Sequence, residues 1–443
     1  MEWYRFLATG LAAVIIVLLV GAAGAVASTV GTPRATTAPP GPAPLAASVK
    51  VHYTIPTGDM PDGGTLDTAN GNVFVSNKLS DNVTVISAST HDHSTISVGT
   101  TPSYVVYNPD DQEVYVLNEG SGNVSIIDGA TDAIAKTVSL GAGSEPVAGY
   151  FDPADGSVLV LNNDTSAKTN AWLIANETAT LTKLSLDLSL SYDAVYSPAS
   201  HDFYVADYLG GIVSAISDKG KITKFVLNGP PSALAYAPAS GDIVVAIDEI
   251  LPSTPAELAT ISSANKLSSP TSLPSEIGGF AFYPGTYDPF NTQVYFISYN
   301  LTLNASFAVV ATAAGAYHGA VALGGGTGFF PGFLNAANQD LYFGQIERTG
   351  VVVVDNDSAI VTTITTTQSV TVLIYDPSTK SMFGAGDNYE AESTTVSLLY
   401  SFSSTNKATD VKVGKTAVAF VYDPVDQYVY VVNLYSNTVS LAS

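Results

Sequence analysis

Residues 111–128 read DQEVYVLNEGSGNVSIID, and the chain says this again elsewhere. Residues 70–87 read NGNVFVSNKLSDNVTVIS, and residues 426–441 read DQYVYVVNLYSNTVSL. Each copy has an alternating apolar run, an Asn, a short polar turn and a second alternating run. A period of two places successive side chains on opposite faces of a strand, so each copy reads as a hairpin. One such hairpin cannot bury both its faces, but a stack or ring of them can.

A six-residue marker counts the copies. It reads LDTANG at 66–71, YNPDDQ at 107–112, FDPADG at 151–156, YSPASH at 196–201, YAPASG at 236–241 and YDPFNT at 287–292. It continues as LNAANQ at 334–339, YDPSTK at 375–380 and YDPVDQ at 422–427. Pro presets φ for a turn, and Asp, Asn or Ser can cap it through a side-chain hydrogen bond. A spacing of about 40 to 50 residues is that of a propeller blade. The least regular pair still aligns: FYPGTYDPFNTQVYF at 282–296 matches FFPGFLNAANQDLYF at 329–343 without gaps.

The last unit supplies three strands and stops. SVKVHYTIPTGDMP, residues 48–61, looks like the fourth-strand segment AIAKTVSLGAGSEP at 133–146. Pairing 49–56 with the C-terminal unit would close the ring and leave no open seam. The expected fold is therefore all-β: a single β-propeller of four-stranded antiparallel blades over 48–443, closed by an N-terminal strand that completes the C-terminal blade. Nine markers imply nine blades. An elaborated hairpin within 249–281 would make it eight.

Composition narrows the function classes. The chain has 443 residues with 39 Asp and Glu against 16 Lys and Arg, a formal charge of −23. No cationic cluster is available for phosphate groups, so nucleic acid is not an expected partner. There is no Cys, which excludes disulfides, thiolate metal sites and iron–sulfur clusters. Residues 6–27 carry no charge and are long enough to cross a bilayer, and they end in Ala25-Val26-Ala27, a small-x-small cleavage pattern. Residues 1–27 are thus read as a signal peptide or an N-terminal membrane anchor, and 28–47, rich in Thr, Pro and Ala, as a linker. The expected location is extracellular or at the cell surface.

Units such as DQEVYVLNEGSGNVSIIDGATDAIAKTVSLG resemble the YVTN-type β-propeller repeat. The tetrapeptide is Tyr115-Val116-Leu117-Asn118 in one copy and Tyr430-Val431-Val432-Asn433 in another. The resemblance implies a surface-layer or other cell-envelope protein of archaea or bacteria. It implies other envelope proteins or glycans as partners, self-assembly among them, and membrane contact only through the N-terminal segment.

Local catalytic motifs are absent. His91-Asp92-His93 is the sharpest candidate, but it falls where a turn between third and fourth strands is expected, and no third metal ligand accompanies it. Asp110-Asp111 and Asp355-Asn356-Asp357 lack the ligand spacing of a calcium loop. Second strands end at Asn77, Asn118, Asn162, Asp207, Asp248, Ser298, Gln345 and Asn433, and periodic recurrence reads these as turn caps rather than ligands. No catalytic residue, cofactor or metal ligand is assigned. Seven Asn-x-Ser/Thr sequons are candidate glycosylation sites: Asn300, Asn304, Asn82, Asn123, Asn163, Asn176 and Asn356. Asn300 and Asn304 are expected in an elaborated, exposed loop. The expected role is a non-enzymatic structural, adhesion or recognition scaffold. The alternative is a metal-dependent extracellular lactonase-like hydrolase or lyase on the same ring.

Overall fold

The computed structural model describes residues 48–162, 169–176, 178–188, 191–248, 255–280, 283–300, 302–325, 328–345, 349–387 and 396–443. The segments 1–27 and 28–47 lie outside them. Every regular element among the described residues is a β-strand. None forms a helix long and apolar enough to cross a membrane.

The strands form nine antiparallel sheets. Eight follow in chain order over 61–97, 102–139, 146–188, 191–226, 231–272, 279–325, 333–364 and 369–415. The ninth takes its first three strands from 417–442 and its outermost strand, Val51–Pro56, from the start of the described chain. Val51 pairs with Ala442 and Pro56 with Thr438, so the expected closure is present. The irregular stretch is real: the innermost strand of blade 6 is split into Gly279–Phe280 and Thr286–Asp288, and blade 5 ends in a two-residue strand, Thr271–Ser272. Neither removes a blade, so the count is nine.

The core is divided the same way. Nine apolar clusters occur, and each joins two successive blades. Phe74, Val83 and Val85 of blade 1 pack on Val105, Tyr107, Val114 and Val116 of blade 2. Leu66, Val73 and Val75 of blade 1 pack with Ile55, Ala419, Tyr430 and Val432 of blade 9, which closes blade 9 on blade 1. Apolar burial thus lies between sheets, and each blade depends on its neighbours.

The hexapeptide marker is a repeated turn between first and second strands. Its second residue is buried in every copy, as Asp67, Asn108, Asp152, Ser197, Ala237, Asp288, Asn335, Asp376 and Asp423. Asp67, Asp152, Asp288 and Asp423 each accept the main-chain N–H two residues on, at 2.8 Å. The sixth residue is left-handed in every copy, with φ between 57° at His201 and 80° at Gly71. Only Gly is at ease there, so Gln112, Thr292 and Lys380 carry backbone strain that the bonded turn offsets.

The tyrosine of the repeated tetrapeptide locks this turn. Tyr115 is fully buried and donates its hydroxyl to Asp111 at 2.8 Å, and Tyr430 does the same to Asp426. Tyr295 and Tyr342 meet Asn291 and Asn338 at the matching position. Replacing Tyr115 by Phe keeps the packing and removes one hydrogen bond to a charged partner. Urea unfolding of Tyr115→Phe should show a loss of about 1.5–3 kcal/mol; an unchanged midpoint would mean the hydroxyl is idle.

Candidate functional site

The ring has two unlike faces. The turn face carries the first-to-second turns and the third-to-fourth turns. The loop face carries the second-to-third loops and the crossovers between blades. Main-chain bonds tie loop to crossover: Lys78 N–H donates to Met60, Glu119 N–H to Thr101 and Leu434 N–H to Thr416. The third loop residue is a serine in three blades, and Ser80, Ser121 and Ser436 each accept a crossover N–H.

Connection lengths vary on both faces, and on the turn face the third-to-fourth turns run from 129–132 to the longer 262–270. Second-to-third loops are tight at 78–81, 119–122, 208–211 and 434–437, while the strands flanking 163–168, 248–256, 345–350 and 388–395 are further apart in sequence. The first-to-second turns keep one bonding pattern, with Gly71, Gly156, His201, Gly241, Gln339 and Gln427 each donating to the carbonyl four residues back. Insertions in repeat proteins gather on the binding face, because the opposite turns are part of the repeat's own architecture. The loop face also exposes large apolar side chains: Leu79 at 69%, Leu209 at 66%, and Leu303 and Tyr435. The turn face exposes Phe290 and Val425.

The residues that end the second strands sit at the base of these loops as caps. Asn77 donates to Asn82 at 2.7 Å and to Thr84 at 2.9 Å, and Asn118 repeats this with Asn123 and Ser125. Asn433 reaches Ser440 in the same way and accepts the Gly414 N–H. Asn162 accepts the Glu145 N–H, Asp207 that of Gly210 and Asp248 that of Phe280, while Ser298 donates to the Ile277 carbonyl. Gln345 bridges blades 7 and 8 through the main chain. Most of their polar groups are spent on the fold, although the buried Oδ1 atoms of Asn77 and Asn118 have no hydrogen-bond partner.

One ionic group on this face is not. Asp62 is the second residue of the innermost strand of blade 1, at a bulge between Pro61 and Gly63. The same bulge recurs between Pro102 and Tyr104, Pro146 and Ala148, Pro231 and Ala233, and Ala417 and Ala419. Bulges re-aim a side chain relative to the pleat. Asp62 is 5% exposed, and burial pushes its carboxyl up to about 6, against the opposing pull of Lys78 and with the added push of Glu119. Lys78 and Glu119, from the loops of blades 1 and 2, form an ion pair at 3.2 Å. This acid–ammonium–acid group could exchange a proton with a ligand or hold a polar one. No local motif marks Asp62; the faint signal in sequence is a lysine in a loop of a chain with only 16 Lys and Arg.

His52 and His91 both pack against Tyr428, with ring centroids 5.2 and 5.5 Å away, but the remaining histidines are scattered. His91 ends a third-to-fourth turn at φ 59°, with its ring 4.2 Å from that of Tyr53 and Nε2 3.6 Å from Asp426. His93 is exposed on the outermost strand, His201 ends a first-to-second turn, His318 is exposed, and His52 meets Ser443 at 3.0 Å. Among the described residues, no three His, Asp or Glu side chains are grouped to hold a metal by themselves. Of the sequons, Asn82 and Asn123 accept from the capping Asn, and Asn163 lies outside the described residues. Asn176 and Asn356 are half-buried. Asn304 is exposed, but Asn300 is buried and donates to the carbonyls of Ser275 and Glu276. The reason is that the strand runs on to Asn300 and returns from Ala305, leaving a tight connection and no elaborated loop.

No protein-family model matches the chain, and no curated protein does. Solved structures do. One described as a eukaryotic initiation factor superposes with a TM-score of 0.59 at 15% identity, over 80% of this chain and 88% of that one. The chain is a β-propeller. Dihydro-heme d1 dehydrogenase NirN in complex with DHE gives a TM-score of 0.51 at 14% identity, over 69% of this chain and 66% of that one, just under two thirds of its length. Virginiamycin B lyase from Staphylococcus aureus covers 89% of this propeller at 10% identity with a TM-score of 0.43, too loose a fit to argue from. These identities speak for the fold alone.

Proposed function

We propose that this propeller is an exported, non-enzymatic recognition scaffold of the cell envelope, similar to YVTN-type repeat proteins, and that it binds through its loop face. The observation that carries the reading is the grouping of exposed Leu79, Leu209, Leu303 and Tyr435 on the loop face, opposite first-to-second turns that keep one bonding pattern. Exposed apolar groups within a polar rim are the ordinary anchors of protein and glycan recognition.

The closing strand supports an orientation. It enters at Val51 beside Ala442, at the turn face, and leaves at Pro56 at the loop face. A tether made of residues 1–47 would therefore join the turn face. If 28–47 served as an extended linker it would reach about 60 Å, and the loop face would point away from the membrane. A signal peptide cleaved after Ala27 would leave the same binding face on a secreted protein.

The test is cosedimentation of the purified protein with isolated envelopes. The quadruple variant Leu79→Ser, Leu209→Ser, Leu303→Ser, Tyr435→Ser should melt like the parent and lose most binding, at least tenfold in apparent affinity. Equal binding by both proteins would remove the loop face from consideration. The hydrolase or lyase reading keeps one foothold, the Asp62–Lys78–Glu119 group. Turnover of a lactone or glycan that vanished in Asp62→Asn would favour it.

A further inference from the structure

Blade 6 stands apart from the rest of the ring in its charge. Residues 289–339 contain no Asp, Glu, Lys or Arg, and they include the second, third and fourth strands of the blade, Gln293–Asn300, Ala305–Thr312 and Tyr317–Gly325. The acid just before them, Asp288, is fully buried. The blade also exposes apolar groups at both ends, Phe290 at 44% in its first-to-second turn and Leu303 at 55% in its second-to-third loop. The whole chain carries a formal charge of −23, so a second copy is repelled from most of its surface.

The outermost strand of this blade, Tyr317–Gly325, is at nine residues the longest of the described strands. Among the described residues it pairs on one side only, with Ala305–Thr312, and it exposes His318, Ala320, Ala322 and Gly324. An outermost strand leaves a row of N–H and C=O groups open, and proteins ordinarily blunt such an edge with a lysine, a proline or a very short strand. Exposed lysines stand in the outermost strands of blades 2, 3, 4 and 8, as Lys136, Lys183, Lys224 and Lys412. That of blade 5 has two residues, those of blades 1 and 7 have five each, and that of blade 9 ends at Pro56. Blade 6 has a long edge of small side chains instead. Its register slips at His318 and at Leu323, and Gly319–Ala322 between them is regular.

We infer that the rim of blade 6 is a self-association surface, on which Tyr317–Gly325 pairs antiparallel with the same strand of a second copy about a two-fold axis at Val321. That register sets Ala320 opposite Ala322 of the second copy and Val321 opposite its own equivalent, so small side chains meet and no like charges oppose each other. The same pairing on blade 2 or blade 4 would set Lys136 or Lys224, each at the centre of its strand, against itself. A cationic partner would be drawn to the acidic remainder of the surface, whereas a second copy meets least repulsion at the uncharged rim. Depletion of charge is also the compositional mark of an interface core. The contact is separate from the loop face and requires neither export nor a membrane.

Sedimentation velocity of the full chain, kept soluble in a mild detergent, tests this. The parent should pass from monomer to dimer as its concentration rises from about 1 to about 100 μM, the weak end expected of a small contact. Added salt should favour the dimer by screening the repulsion between the two copies. The double variant Ala320→Lys, Ala322→Lys should melt like the parent, since both positions face solvent, and should associate at least tenfold more weakly. Val226→Lys, on the outermost strand of blade 4, should leave association unchanged. Amide hydrogen exchange gives a readout that needs no substitution, because protection of 317–325 should rise with protein concentration. A parent that stays monomeric at every salt concentration, or a dimer that survives the double lysine variant, would overturn the inference. So would protection of 317–325 that ignores concentration, since another part of the same chain would then cover the strand.

Discussion

Removal of residues 48–56 is expected to cost the ring about 5 kcal/mol or more and to leave it prone to self-association. The segment supplies Ile55 to the blade 9–1 cluster and Val49 to the blade 8–9 cluster, each nearly fully buried. Two such side chains account for about 3–6 kcal/mol of apolar burial. The strand also pairs along 438–442, and each lost main-chain bond removes about 1 kcal/mol. Without it, strand Thr438–Ala442 becomes an open edge, which invites pairing with another chain. Urea unfolding and size-exclusion chromatography of the truncated protein would show an earlier midpoint and a shift to dimers or larger species. A truncated ring that stayed monomeric with the parental midpoint would show that the strand merely decorates the closure.

Raising the pH through 6 is expected to destabilise the protein through Asp62. Its carboxyl sits at about 6 in the fold, against about 3.9 in an unfolded chain. A carboxyl raised by folding contributes stability that is complete below the unfolded value and lost as pH climbs through the folded one. The difference converts to about 3 kcal/mol at most, allowing about 1.4 kcal/mol for each tenfold change. Asp62→Asn mimics the neutral acid and should escape the loss. Parent and variant should therefore diverge between pH 4 and pH 8 in chemical denaturation, with the parent falling. Parallel curves would show that Lys78 compensates Asp62 fully. Glu113, at about 7 in the fold, pushes in the same direction in both proteins.

The sequence by itself determined the blade, its turns and its closure. Alternating Val and Tyr, the Asp that accepts its own turn's N–H, and the left-handed residue at the end of each marker act over a few residues, so a single copy of the repeat displays them. The closing strand was legible for the same reason, since residues 48–61 repeat the fourth-strand pattern found at 133–146. Nine blades rather than eight needed the tertiary structure, because the split innermost strand of blade 6 pairs with a strand beyond its own gap. The exposure expected of Asn300 failed on the same ground: carbonyls about 25 residues earlier, at Ser275 and Glu276, take its amide.

The ionic groups were settled by tertiary structure alone. Asp62 acquires its raised carboxyl from burial at a bulge, with an opposing pull from Lys78 and a further push from Glu119 on two different loops. A repeat writes its own fold locally, but charge is felt across the gap between neighbouring blades, where sequence distance carries no information.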